Sequence, residues 1–179
     1  SMIISISGRP GSGKSTAGRL VAKKLGMKFY SMGDLRGQMA VERGMTIFQM
    51  NQSTEDTDTP VDKKIVNMGK EQDNFVIDGR LAWHFIPQSF KIFLDVDPRV
   101  GAERVMRGTR PDEPAYGSIE EAMRMLSERE QDDQKRYRRL YGVDHLDLTH
   151  YDLVIDSTST GKDEVVAKIL KAIDTKTKV

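Results

Sequence analysis

Gly8-Arg9-Pro10-Gly11-Ser12-Gly13-Lys14-Ser15-Thr16 follows the β-branched run Ile3-Ile4-Ser5-Ile6-Ser7 and precedes a helical pattern from Ala17 to Leu25. The segment fits G-x-x-x-x-G-K-[ST] in the context that the pattern requires, a strand feeding a loop that opens a helix. Glycine lets backbone N–H groups turn toward a phosphate with no Cβ in the way, and the helix N-terminus behind them favours negative charge. Gly8, Arg9, Pro10, Gly11, Ser12, Gly13, Lys14, Ser15 and Thr16 are therefore predicted to hold a nucleoside triphosphate. In this scheme Lys14 reaches the β- and γ-phosphates, and Ser15 holds Mg²⁺.

Composition sets limits on the rest. The chain has 179 residues, enough for one domain with a sizeable core and short for two. Twenty-eight Lys and Arg balance 27 Asp and Glu, so the overall charge points to no nucleic-acid partner, and positive charge must be placed locally. With no cysteine there is no disulfide and no thiolate zinc site, as suits a reducing compartment. No apolar run is long enough to span a membrane, and the start of the chain reads as the first strand rather than a signal peptide. A soluble, cytoplasmic protein is expected, with Ser1 before Met2 set aside as a cloning remnant.

Working outward from the loop, Ala17, Leu20, Val21 and Leu25 recur at helical spacing, with Gly26 as C-cap. Lys28 to Ser31 reads as a short strand, and Gly33-Asp34 opens a helix to about Gly44. Two further helical patterns between Thr46 and Gln72 flank Gln52 to Pro60, whose composition reads as a surface linker. Phe75-Val76-Ile77-Asp78 is an apolar run ending in a carboxylate, similar to a Walker B strand, and Gly79-Arg80 follows. Ligands of open α/β sheets sit beyond the carboxyl ends of the strands, so Asp78 and Arg80 are expected beside the phosphate loop, with Asp78 on the metal. Phe90 to Val96 is a fourth strand. The helix after it, with Pro98 in its first turn, carries Arg104 and Arg107 on one face. Gly108 to Gly117 is a loop, and Ser118-Ile119-Glu120-Glu121 is a capping box that opens a long helix.

On that helix Ile119, Ala122, Leu126, Arg129, Asp133, Arg136 and Leu140 follow steps of three and four. This line is apolar at both ends and charged in the middle. Either the charges make ion pairs on a solvated face, or they face inward toward an anionic ligand. Asp152 to Ile155 and Asp156 form a fifth strand, Lys162 to Ile173 a last helix, and Lys176 to Val179 a frayed tail. Alternating strands and helices predict an α/β, three-layer P-loop fold with a five-stranded parallel sheet.

Arg80, Arg104, Arg107, Arg129 and Arg136 are more arginines than a triphosphate alone needs, and suggest a second phosphate-bearing substrate. Phosphoryl transfer depends on positioning and charge neutralisation, for which arginine forks are suited. No general base is evident. A phosphate acceptor needs none, because its second pKa of about 6 leaves the attacking oxygen largely ionised at neutral pH. Other small acceptors, or a nucleotide-gated switch without transfer, remain alternatives at this level.

Several fragments together carry a resemblance: Gly33-Asp34-Leu35, Glu42-Arg43-Gly44-Met45, Asp58-Thr59-Pro60-Val61-Asp62, Asp78-Gly79-Arg80-Leu81-Ala82, Ala102-Glu103-Arg104, and Tyr141-Gly142-Val143-Asp144 through to Tyr151-Asp152-Leu153-Val154-Ile155. In their order the chain resembles the nucleoside monophosphate kinases, most closely the short cytidylate kinases of archaea and some bacteria. The resemblance implies a core over 2–32, 73–107 and 141–175, a helical acceptor-binding insert at about 33–72, and a lid at about 108–140. It further implies ATP and Mg²⁺, CMP and dCMP as acceptors, and a monomer. Asp34, Arg36, Asp62, Arg80, Arg129, Asp133 and Arg136 would bind the acceptor, with Asp133 on the ribose and Lys14, Arg80, Arg129 and Arg136 acting in transfer. Arg104 and Arg107 would lie on the ATP side.

The chain departs from the family in the first insert helix, where arginine stands at Arg36 rather than at the position of Gly37, a turn of about 100°. Trp83-His84-Phe85 is bulkier than the family pattern. Trp83 is expected in the core or pocket wall and His84 as a packed surface residue. His145 and His150 read as loop residues without a role, and the methionines as gap fillers.

Overall fold

Alternation along each apolar run sorts its side chains onto the two faces of a sheet. A computed structural model describes residues 1–46, 49–50, 54–108 and 116–178, the side chains of 54–59 excepted. The strands are β1 (Ile3–Gly8), β2 (Lys28–Ser31), β3 (Phe75–Asp78), β4 (Phe90–Asp95) and β5 (Leu153–Asp156). All pair in parallel, in the order β2-β3-β1-β4-β5. The described helices are α1 (Lys14–Leu25), α2 (Met32–Glu42), α3 (Thr54–Glu71), α4 (Ala82–Phe85), α5 (Pro98–Arg107), α6 (Ile119–Tyr141) and α7 (Lys162–Thr177).

On one face, Ile4, Ile6, Val76, Ile92, Leu94 and Ile155 meet Val21 of α1 and Val165, Val166 and Ile169 of α7. On the other, Ile3, Phe75 and Ile77 meet Leu35 of α2, Val61, Ile65 and Met68 of α3, and Ile86. Both faces of the central strands are thus covered, as parallel sheets require. Ser5 and Ser7 interrupt the run in β1 without orphaning a hydroxyl: Ser5 Oγ lies 2.8 Å from Ser89 Oγ, and Ser7 Oγ donates to the Gly79 carbonyl at 2.8 Å. The second bond fixes the turn after β3 beside the loop after β1.

Three elements differ from the sequence reading. Residues 54–60, read as linker, belong to α3, while 51–53 lie outside the described residues. The Thr- and Asp-rich composition of that stretch suits the start of a helix, where negative charge is stabilised by the helix dipole, as well as it suits a loop. α7 continues to Thr177 and so includes part of the expected frayed tail. The expected loop at 108–117 lies mostly outside the described residues, which omit 109–115. The expected cap at α6 is present in part: Ser118 Oγ accepts from the Glu121 N–H at 3.1 Å, while Glu121 Oε2 reaches back one residue further than in a capping box, to the Gly117 N–H at 2.9 Å.

Candidate active site

The loop between β1 and α1 turns on Gly11 at φ 76° and Gly13 at φ 87°, a region disfavoured for residues with a Cβ. Gly13 caps α1 without a side-chain bond, and the first turn of α1 carries no acidic residue, so its N–H groups face a site suited to an anion. A Cβ on Gly11 would stand 2.2 Å from the Gly101 carbonyl oxygen, and one on Gly101 would stand 2.6 Å from that of Pro10. The loop is therefore seated directly on α5. Arg104 of α5 braces it from behind: Nη1 donates to the Gly11 carbonyl at 3.2 Å, and Nη2 to those of Ser157 and Thr158 at 2.7 and 3.1 Å.

At the carboxyl end of β3, buried Asp78 accepts a hydrogen bond from Ser15 Oγ in the first turn of α1. A hydroxyl and a carboxylate thus converge at the phosphate loop. Arg80 lies two residues on, its carbonyl accepting from Trp83 Nε1 at 3.0 Å and its guanidinium turned toward α6. Arg80 Nη1 is 3.4 Å from Asp133 Oδ2, and Arg136 Nη1 is 3.2 Å from Asp133 Oδ1. Asp133 is 5% exposed, and its Oδ2 is a buried oxygen with no hydrogen-bond partner among the described residues. Burial lowers the pKa of Arg80, but Tyr137, Asp133 and Glu130 more than offset this, and the net shift is upward.

The line that α6 turns inward runs through Ala122, Glu130, Asp133 and Tyr137, with Ala122, Asp133 and Tyr137 buried. Arg129 and Leu140 of the expected line are exposed. This corrects the sequence reading, which drew the line through Arg129 where Glu130 faces in. One residue is about 100° on a helix, and a line of alternating threes and fours does not say where the step of four falls. Glu130 Oε1 instead accepts from Arg9 Nη1 at 2.5 Å, and Arg9 Nε donates to Asp95 Oδ1 at 2.8 Å at the end of β4. An arginine from the phosphate loop thereby joins the charged cluster on α6.

Aromatic groups wall the site beside Arg80. Trp83, buried as expected, stacks on His150 with centroids 4.4 Å apart, so His150 has a packing role that the loop reading missed. His145 is a second correction. It is buried, with its ring edge-on to Tyr137 at 5.0 Å, and its Nδ1 has no hydrogen-bond partner among the described residues. Burial first, then Arg80, hold its pKa down at about 4. His84 is half-buried, and its pKa is lowered by burial.

The structure thus brings together Ser15, Asp78, Arg80, Asp133 and Arg136 around the loop that carries Lys14. Asp62 of α3 accepts from the Tyr141 hydroxyl at the end of α6, joining the two helices that flank the opening. Asp34 is exposed, 3.9 Å from Arg19, and Arg36 Nη2 donates to the Met50 carbonyl at 3.2 Å. Arg107 and Arg129 are exposed.

A profile of the cytidylate kinase-like family matches residues 47–159. The curated cytidylate kinase of Pyrococcus furiosus is 40% identical over 177 residues, covering 97% of this chain and 88% of that protein. The chain belongs to the cytidylate kinase-like family. The curated cytidylate kinase of Archaeoglobus fulgidus is 35% identical over 179 residues, covering 98% of this chain and 96% of that protein. The fold is shared more widely: shikimate kinase from Acinetobacter baumannii superposes with a TM-score of 0.66 at 18% identity, over 98% of this chain and 94% of that one. Among the described residues, no helix of this family member is long and apolar enough to cross a membrane.

Proposed function

We propose that the protein transfers the γ-phosphate of ATP to CMP, and to dCMP, giving ADP and the corresponding diphosphate. The observation that carries this reading is the placement of Arg80, Asp133 and Arg136 beside the Ser15–Asp78 pair of the phosphate loop. One anion is met by the loop and a second by the arginines. Relatedness over nearly the whole chain to curated cytidylate kinases supports the choice of acceptor.

The acceptor's α-phosphate lies against Arg80 and Arg136, which orient it and offset its charge. One of its ionised oxygens attacks the γ-phosphorus. As that bond forms, the bond from the γ-phosphorus to the β,γ-bridging oxygen breaks, and its electron pair leaves with ADP. Lys14 and the loop N–H groups hold the departing phosphates. Asp133 Oδ2, ion-paired with Arg80 but accepting no hydrogen bond among the described residues, suits a donor hydroxyl, as a ribose supplies, because a buried acceptor left without a hydrogen bond is costly. Trp83 and Tyr137 keep that side of the pocket dry, limiting hydrolysis of ATP. In this reading the insert at about 33–72 and the lid at about 108–140 close over the two nucleotides, with Asp34, Arg36 and Asp62 on the acceptor side, Arg129 swinging in from α6, and Arg104 and Arg107 on the donor side.

The oxygen pair of Ser15 and Asp78 fits Mg²⁺, a hard cation that takes few protein ligands and completes its shell with water and phosphate oxygens. When bound it neutralises charge on the donor phosphates. Among the described residues, no group of three or more His, Cys, Asp or Glu side chains could hold a metal ion.

The deciding experiment measures ADP formation from Mg-ATP with CMP, dCMP, UMP, AMP, GMP, shikimate or no acceptor. Stimulation by CMP and dCMP above all others is expected. Stimulation by another acceptor alone would replace the substrate assignment, and none by any acceptor would remove the transferase reading.

A further inference from the structure

The phosphate-loop pattern uses the backbone at its variable positions and leaves the side chain at Arg9 unspecified. An arginine there is not demanded by the loop, and its position calls for a physical reason. Its guanidinium bridges Asp95 Oδ1 at 2.8 Å and Glu130 Oε1 at 2.5 Å. These contacts occupy Nε and Nη1, and Nη2 has no hydrogen-bond partner among the described residues. Arg9, Asp95 and Glu130 are all partly exposed, with side-chain exposures of 31%, 34% and 21%, so the bridge is open to solvent rather than sealed in the core. Glu130 also faces Arg80, raising its pKa, and Arg9 is near enough to His145 to lower its pKa. Arg9 therefore stands between the loop that holds the donor and the arginine assigned to the acceptor, with one fork nitrogen still to be satisfied.

Building on the kinase reading, we propose that Arg9 is a further catalytic arginine, supplied by the phosphate loop itself, and that Glu130 is its positioning residue, holding the guanidinium on the path of the phosphoryl group. Two carboxylates fix a planar fork in orientation as well as place, which one would not. The chemistry is unchanged: the bond from acceptor oxygen to γ-phosphorus forms as the bond to the bridging oxygen breaks. Arg9 donates N–H hydrogen bonds to the equatorial oxygens, and no proton is transferred. Glu130 touches neither nucleotide and acts only through Arg9. Since Glu130 lies on α6, the fork is correctly aimed only when that helix is seated against the loop.

A double-mutant cycle tests this. Arg9→Ala, Glu130→Ala and the double variant are compared with the wild type for kcat, for KM of ATP and CMP, and for melting temperature. Arg9→Ala is expected to lower kcat about a hundredfold, and Glu130→Ala about tenfold, with both KM values moving less than about threefold. The double variant should be no slower than Arg9→Ala alone, because the positioning residue has nothing left to position. Glu130→Gln, which keeps an acceptor oxygen for Arg9, should recover part of the loss, and Arg9→Lys little of it. A double variant slowed by the product of the two single effects would overturn the proposal. So would variants that melt earlier but turn over at the wild-type rate, since Arg9 would then be a structural strap. A wild-type chain inactive with every acceptor would instead remove the kinase reading and this proposal with it.

Discussion

Arg80 serves the site twice, and the two services separate in a mutant. Its carbonyl accepts from Trp83 Nε1 and, at 3.3 Å, from Ser7 Oγ, which fixes the turn after β3 whatever side chain is present. Its guanidinium faces Asp133, and in the proposed reaction it meets the acceptor phosphate. Arg80→Ala should therefore keep the turn and lose the fork. Steady-state kinetics with CMP should show kcat/KM down by at least about a hundredfold. Arg80→Lys should restore only a small part, because an ammonium is a point charge without two parallel donors. If kcat/KM for Arg80→Ala stayed within a few-fold of the wild type, Arg80 would not lie on the acceptor. At this scale the positions of Ser15, Asp78 and Arg80 at the carboxyl edge of the sheet were legible, because chemistry and spacing coincide there. The sequence was silent on Glu130 and His145, whose roles depend on which way a helix turns and what a loop covers.

Among the elements, β1, its loop and α1 were legible because three signals agree: a β-branched run, glycines where φ must be positive, and a helical pattern immediately after. α6 was legible in extent, since its capping box and the αL Gly142 at its end are written in the sequence. Its rotation was not, because an amphipathic line interrupted by charges is compatible with two neighbouring faces. The polar stretch at 54–60 was misread because the residues that start a helix are also those that favour loops. The seating of the loop on α5 was hidden as well, since only the two segments in place reveal how closely Gly11 and Gly101 approach. Gly101→Ala should push α5 off the loop, because its Cβ would stand 2.6 Å from the Pro10 carbonyl oxygen, and backbone cannot yield as a flexible side chain can. ATP affinity should fall about tenfold or more, with the melting temperature lowered by a few degrees, as for an overpacked contact. Titration with a fluorescent ATP analogue and a thermal melt would measure both. Unchanged affinity would mean that the loop does not depend on α5 for its shape.

For the whole molecule the decisive feature is that charge is gathered into one cleft while the net balance is near zero, and folding must carry the cost of that concentration. His145 registers it most directly. Held neutral by burial, it is faced by Arg80 and Arg9, which oppose its protonation, and by Asp133 and Asp144, which favour it. Its pKa is about 4 in the folded chain, against the ordinary value of 6.5, so between those values the unfolded chain binds more protons. The associated stability is complete above pH 6.5 and is lost progressively as pH falls toward 4, amounting to about 3 kcal/mol in all. Urea unfolding at pH 7.5, 6 and 5 should show this loss in the wild type and a flatter dependence in His145→Phe, whose ring keeps the edge contact to Tyr137 but does not titrate. Parallel curves for the two proteins would mean that the imidazole titrates alike in the folded and unfolded chains, and a wild type that gains stability relative to His145→Phe as pH falls would mean that it is held protonated against Asp133 and Asp144 in the folded state. In that case the cleft would carry one more positive charge for phosphate than the present arrangement assigns it.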